Sequence, residues 1–380
     1  MGLVINRPDE PTSLKRALPY CNKEHELPNS LYHRTKQGRS WVSIVNKSSV
    51  VLLVFAILVL LFIPEIMAHA PLGSGVNDSL ATAATIPEPL KSWALYSQLH
   101  EGGEAQYYKF NITQGQRIHI MLYKSRRSEE ATFSPSFVLM GASLVEQGTI
   151  PSYVQKPADA KLFEVQGQQA AAATYEPFSP SSFYSMADLT IDAPASGTYY
   201  IAVFEPTEGG HYGLAVGDSE SYTIDEWILI PLNLLSIYQW EGQSLALILA
   251  PMIATLAIGV GFSMWKIGKR GTIMTWFGVL AGLLFVGTSI STLFQMIISV
   301  IGTSVGAEVV VTLVFALIPM ILGLATLRLS SREEDKASMR KRIYLVVLGV
   351  IALFMWAGLL VGPALAIIAS AMPVGRRKEK

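Results

Sequence analysis

The sequence predicts a multidomain membrane protein of the α+β class: an antiparallel β-sandwich displayed outside the membrane, with one transmembrane helix before it and four after it. Three observations lead there. Of 380 residues, 51% are hydrophobic and only 15% charged, apolar-rich and charge-poor against ordinary soluble domains. Apolar runs long enough to cross a bilayer core of about 30 Å fall into one N-terminal and one C-terminal block. A zero net charge hides a segregated one, since residues 69–226 carry eight Lys/Arg against eighteen Asp/Glu and leave the rest of the chain ten positive.

Residues 1–48 mix proline, serine and charge without a period, which predicts a disordered cytoplasmic tail. The stretch 49–68 (SVVLLVFAILVLLFIPEIMA) is the first span. Ala68-His69-Ala70 has the small residues of a cleavage site. A 48-residue leader is too long for a signal n-region, however, and Pro71 would follow the cut, so an uncleaved signal anchor is expected.

From 69 to 226 the texture changes to short segments rich in aromatic and branched residues, separated by glycine, proline and serine. Tyr107–Ile112, Arg117–Tyr123, Thr198–Phe204 and Tyr212–Val216 read as strands, with turns at Thr113–Gln116, Pro194–Gly197 and Gly209-Gly210. Strands joined by tight turns with no helical period argue for a sandwich.

Residues 227–243, from Trp227 through Tyr238-Gln239-Trp240, are apolar but too short to cross. Their aromatic rings suit an interfacial element at headgroup level, although a final strand plus linker fits as well. Residues 244–373 carry four further runs, Leu245–Trp265, Thr272–Ile301, Val309–Leu327 and Ile343–Met372. Eight Lys/Arg in the N-terminal tail, three at 266–270 and six at 328–342, with none in the loop after Ile301, place the N-terminus and both basic loops in the cytoplasm and residues 69–226 outside the cell membrane. The basic tail 374–380 breaks this pattern. At 1.5 Å per residue the thirty-residue last run is roughly 45 Å long, which predicts one strongly tilted helix with an external tail. A bend at Gly358, Gly362 or Pro363 that returns the tail inside is the alternative.

The opening Asn77-Asp78-Ser79-Leu80-Ala81-Thr82-Ala83, the Glu104–Phe110 strand followed by Gln114-Gly115-Gln116, and the closing Ala193–Ile201 with Gly210-His211-Tyr212 resemble bacterial and archaeal pre-peptidase C-terminal domains. The resemblance covers about 77–217. It implies a jelly-roll-like sandwich on the outer face of the cell, an accessory module for binding or stability and not a catalyst. Leu144–Ser185, containing the run QGQQAAAA at 166–173, stands as a long insertion, and no protease domain is attached.

Candidate chemistry is sparse. His100-Glu101-Gly102-Gly103-Glu104 imitates the start of a zinc helix, but two glycines and the missing second histidine remove the ligand face. Related modules bind calcium near the domain entrance, and Asn77, Asp78, Glu101 and Glu104 supply the hard oxygens this requires; turn capping accounts for Asn77 and Asp78 equally. His69, His100, His119 and His211 offer a copper or zinc site if the fold gathers them, whereas His119, between Ile118 and Ile120, is expected to face solvent. Asn77-Asp-Ser79 and Asn111-Ile-Thr113 are glycosylation sequons. A single cysteine, Cys21, excludes an internal disulfide framework and a thiolate zinc site. No hydrolase elbow, nucleotide loop or EF-hand loop occurs. The acidic outer region disfavours nucleic acid, and spans free of acids and bases from Leu245 to Leu327 disfavour a proton pump.

The expected function is therefore non-catalytic. The outer domain binds an extracellular ligand, or serves as an accessory or sensory part of a cell-envelope complex with the lipid bilayer and partner membrane subunits around it. A transporter or membrane-enzyme subunit whose bundle carries the activity, and an outer-face metal-binding protein, are the competing expectations.

Overall fold

A computed structural model describes residues 70–71, 75–268, 271–304, 306–332 and 339–372. The N-terminal tail, the signal anchor, Cys21, His69 and the basic tail 374–380 lie outside the described residues. Among the described residues eleven strands form two sheets. The first has the order β1-β3-β11-β5-β9-β8, built from Ala70–Pro71, Trp93–Leu99, Gly210–Val216, Arg117–Lys124, Ser181–Asp192 and Thr174–Glu176. The second has the order β2-β4-β10-β6-β7, built from Ala84–Thr85, Ala105–Ile112, Gly197–Phe204, Ser136–Gly141 and Lys161–Val165. The long pairings are antiparallel, and only the two-residue β1 and β2 pair in parallel.

Alternation places the core. Along β5, Ile118, Ile120 and Leu122 are buried while Arg117, His119 and Met121 are not. These three meet Leu95 and Leu214 of the same sheet and Tyr108, Phe110, Leu139 and Ile201 of the other in one apolar cluster. All four expected strands are present. The region read as an insertion adds β7, β8 and the first residues of β9, whose polar and alanine-rich sequence does not announce strands.

Six helices follow. α1 (Ile224–Trp240) opens on a capping box, Thr223 accepting from the Glu226 N–H while Glu226 accepts from that of Thr223. This replaces the alternative of a last strand. α2 (Leu245–Ile267), α3 (Ile273–Val300) and α4 (Val309–Ser331) are each long and apolar enough to cross a membrane and match the expected second to fourth spans within a few residues. Small residues set the spacing of α3 against α4. A Cβ on Gly323 would lie 2.8 Å from the Gly282 carbonyl oxygen, and one on Gly282 3.0 Å from that of Gly323.

The last apolar segment corrects the expectation of one tilted helix. It folds as α5 (Met339–Phe354), a break over residues 355–360, and α6 (Val361–Ala371). Trp356, Gly358 and Leu359 all have positive φ, at 54°, 77° and 52°, and this left-handed run cannot continue a right-handed helix. The two arms return on each other: the Arg342 guanidinium near the start of α5 donates to the carbonyls of Ser370 and, at 2.9 Å, Met372 beyond the end of α6. The bend lies at Gly358, one of the three positions the alternative named. Gly362 and Pro363 sit in the first turn of α6, where proline costs no hydrogen bond.

Arg342→Ala is expected to leave those two carbonyls unsatisfied and to cost about 1–2 kcal/mol. Amides 367–372 should then exchange faster by hydrogen-exchange mass spectrometry while those of α3 keep their protection. Unchanged exchange at 367–372 would mean that the arms are held by packing alone.

Candidate functional site at the junction of sheet and helices

Two arginines just beyond the end of β5 tie the first sheet to the helices. Arg126 donates to Ser182 Oγ (2.8 Å) and to the carbonyls of Ser299 (3.2 Å) and Ile301 (2.7 Å) at the C-terminal end of α3. Arg127 donates to the carbonyls of Trp240 (2.9 Å) and Gln239 (2.7 Å) at the C-terminal end of α1. The last carbonyls of a helix have no partner within it and carry partial negative charge, so each guanidinium supplies both donors and opposite charge. In the sequence the pair is visible only as two adjacent arginines in an acidic region.

α1 is held at both ends. Lys91 Nζ lies 2.7 Å from both carboxylate oxygens of Glu226 in the first turn. At the other end the Trp240 indole, 8% exposed, packs edge-on against Tyr96 and Tyr123 and donates to the Tyr212 carbonyl at 3.1 Å. Trp227 donates to the Phe354 carbonyl, and Trp356 donates to that of Trp227. The aromatic residues expected at headgroup level are thus spent on protein contacts: Tyr238 and Trp240 are buried, and Trp227 braces the tip of the α5–α6 hairpin. Buried carbonyls satisfy indole N–H groups as well as an interface does.

The β8–β9 connection reaches the ends of α3 and α4. Tyr175 shares a 2.6 Å hydrogen bond with Thr312, which donates to the Pro177 carbonyl, and Ser299 donates to that of Pro180. Phe178 packs edge-on against Phe315.

Two acids sit within this junction. Glu241 accepts from the Ser182 N–H at 2.8 Å and from the Gln243 amide at 3.2 Å, and Gln243 exchanges two 2.9 Å hydrogen bonds with Gln295 of α3. Burial pushes the Glu241 carboxyl up to about 7, opposed by those two donors and by nearby Arg126. Glu176 accepts from the Phe178 N–H at 3.2 Å. Burial pushes it up to about 7 as well, the Phe178 N–H opposing and the Glu220 carboxylate adding to the rise.

Each group retains a proton in the folded chain where the unfolded chain, with an ordinary value of 4.5, has released it. The contribution is complete below about pH 4.5 and is lost as pH rises through 7. Thermal unfolding in detergent should fall between pH 5 and pH 8 by an amount on the order of 2 kcal/mol per group. Glu176→Gln and Glu241→Gln should each flatten their share. A slope identical in wild type and both variants would contradict the burial of these acids.

Two clefts lie in the junction, and Glu176 lines the upper one. The upper lies between the outward face of the first sheet and α1 and is lined by Tyr96, Tyr123, Glu176, Phe183 and Ile237 among others. The lower is bounded by α1, α2, α3, α4 and the hairpin tip, including Leu235, Met252, Ser291, Gln295 and Met355. Phe178, Leu234 and Trp356 line both.

Three of the four residues anticipated for calcium have other partners. Asn77 is buried and donates to the Tyr107 carbonyl, Asp78 accepts from Thr82, and Glu104 accepts from the His100 N–H in the β3–β4 turn. Glu101 lies exposed in the same turn. His119 does face away from the core, between Asp188 and Asp218, while His100 pairs with Glu104 and His211 with Glu130. Among the described residues no group of three or more histidine, cysteine or acidic side chains is placed to hold an ion. Asn77 is closed to glycosylation by its burial, whereas Asn111 is exposed on β4.

The chain matches no protein-family model and no curated protein.

Proposed function

We propose that the protein is a multi-pass membrane protein whose outer β-domain, a sandwich of the jelly-roll type resembling pre-peptidase C-terminal domains, binds a ligand or partner without catalysis and passes that state to the helices. It serves as an accessory or sensory subunit of a cell-envelope complex. The observation that carries this reading is the double arginine clamp: Arg126 and Arg127, adjacent in sequence, hold the C-terminal ends of two different helices to one sheet. A domain that merely rode on an anchor would need one flexible linker. The N-terminus and the basic loops lie in the cytoplasm, and residues 69–226 lie outside. The α5–α6 hairpin enters from the cytoplasmic side and returns there, carrying the basic tail with it, so that every basic flank obeys the same rule.

Two measurements test it. Protease applied to whole cells should cut within residues 69–226, and a tag at the C-terminus should be reached only in inverted vesicles. Crosslinking in native membranes, followed by purification in mild detergent, should recover a second membrane protein joined to the outer domain. Substrate flux in proteoliposomes containing this chain alone would replace the accessory reading with that of a transporter.

A further inference from the structure

We propose that the two clefts form one binding site for an amphipathic organic cation, with an ammonium head in the upper cleft against Glu176 and a hydrocarbon chain in the lower one. The head position follows from the walls. Tyr96, Tyr123, Phe178, Phe183 and Trp356 line this space together with Glu176, Tyr123 packing directly on both Tyr96 and Phe183 so that the three rings form one wall. Ring faces attract cations, and aromatic boxes closed by a carboxylate suit alkylated ammonium groups. Among the described residues Glu176 forms no ion pair, its hydrogen-bond donor being the Phe178 N–H. An enclosed carboxyl group without a cation is costly when charged, and an incoming ammonium would supply the missing charge. An anionic head would instead meet Glu176 and the nearby Glu220.

The tail position follows from adjacency and depth. Phe178, Leu234 and Trp356 line both clefts and stand between them, so in this proposal a chain leaving the box turns these side chains aside to enter the space among α2, α3 and α4. Thr288, on the wall of that space, is twelve residues before Val300, or about 18 Å along α3 from its outer end, within hydrocarbon depth. The tip that closes the lower cleft carries Trp356 and Leu359 in left-handed backbone, and such strain gathers where a ligand site needs a fixed shape. Ser291 Oγ is buried there without a hydrogen-bond partner. Binding of this kind does not require that the helices respond to it.

The test uses the full chain in maltoside micelles, with protein-free micelles correcting for partition and tryptophan fluorescence as the readout. Dodecyltrimethylammonium, dodecylphosphocholine, dodecanol and dodecanoate share one tail and differ in the head. Saturable binding of dodecyltrimethylammonium at least about tenfold tighter than dodecanol or dodecanoate is expected, a difference of about 1.4 kcal/mol. Dodecylphosphocholine binding equally well would assign the cation to a lipid headgroup, and its exclusion would assign it to a free alkylammonium. E176Q should lose about tenfold for the cation and nothing for dodecanol, and Phe183→Leu should weaken the cation alone. Thermal unfolding confirms that both variants are folded. Equal affinity for all heads, or an unchanged dodecyltrimethylammonium affinity in folded E176Q, overturns the proposal.

Discussion

Trp240→Ala is expected to separate the unfolding of the two halves and to cost about 3–5 kcal/mol, the range for removing a buried large aromatic side chain. The indole fills the space between Tyr96 and Tyr123 and is itself a hydrogen-bond donor to the Tyr212 and Ser97 carbonyls. Its loss leaves a hole and two carbonyls facing it. The main cluster of the β-domain, centred on residues such as Leu95, Phe110 and Ile201, does not include Trp240. Amides of β4 and β10 should therefore keep their exchange protection while those at the end of α1 lose theirs, and one calorimetric transition should become two. Trp240→Phe, which keeps a ring but not the N–H, should fall between. Were α1 exchange unaltered in the alanine variant, Arg127 and Lys91 alone would hold the helix to the sheet, and the indole would be only a packing residue.

Gly323→Val is expected to be the most damaging single change within the helices. A Cβ at this position would lie 2.6 Å from Val286 Cγ2 and 2.8 Å from both the Gly282 carbonyl oxygen and the Val286 nitrogen. Side chains can turn aside, but two of those three atoms are backbone, so α3 and α4 must move apart along their contact. Between helices in lipid, packing at close approach supplies much of the attraction, and a loss of about 3 kcal/mol or more follows. The measurement is the midpoint of denaturation in mixed micelles, with Gly261→Val as the control. Gly261 has no atom within 4 Å of its Cβ position, and its substitution should leave the midpoint within about 0.5 kcal/mol of wild type.

The contrast between those two glycines shows how far the primary structure reads. Both lie in apolar runs, and nothing in the run distinguishes a residue facing lipid from one pressed on a carbonyl. The runs themselves were legible: transfer of apolar groups depends on composition over a window, so α2, α3 and α4 appear where the sequence places them. Strands β4, β5, β10 and β11 were legible for the same kind of reason, since alternation is local. The interior of 144–185 was not, because β7 and β8 take their place from pairing with β6 and β9 and not from their own preference.

Trp356 and Leu359 mark the boundary most clearly. Neither is a residue that favours left-handed backbone, and local preference alone would run the last helix straight through them. The turn that contains them is held by distant partners, the Trp227 carbonyl receiving the Trp356 indole and Thr288 receiving the Gly358 N–H. Likewise Arg126, Arg127 and Glu176 are ordinary polar residues until folding sets two of them on helix ends and the third beside an aromatic cleft. Hydropathy and alternation act over a few residues and can be summed along the chain. The arginine caps on α1 and α3, the left-handed turn at the hairpin tip and the enclosure of Glu176 depend on groups far away in sequence, which meet only when the chain has closed.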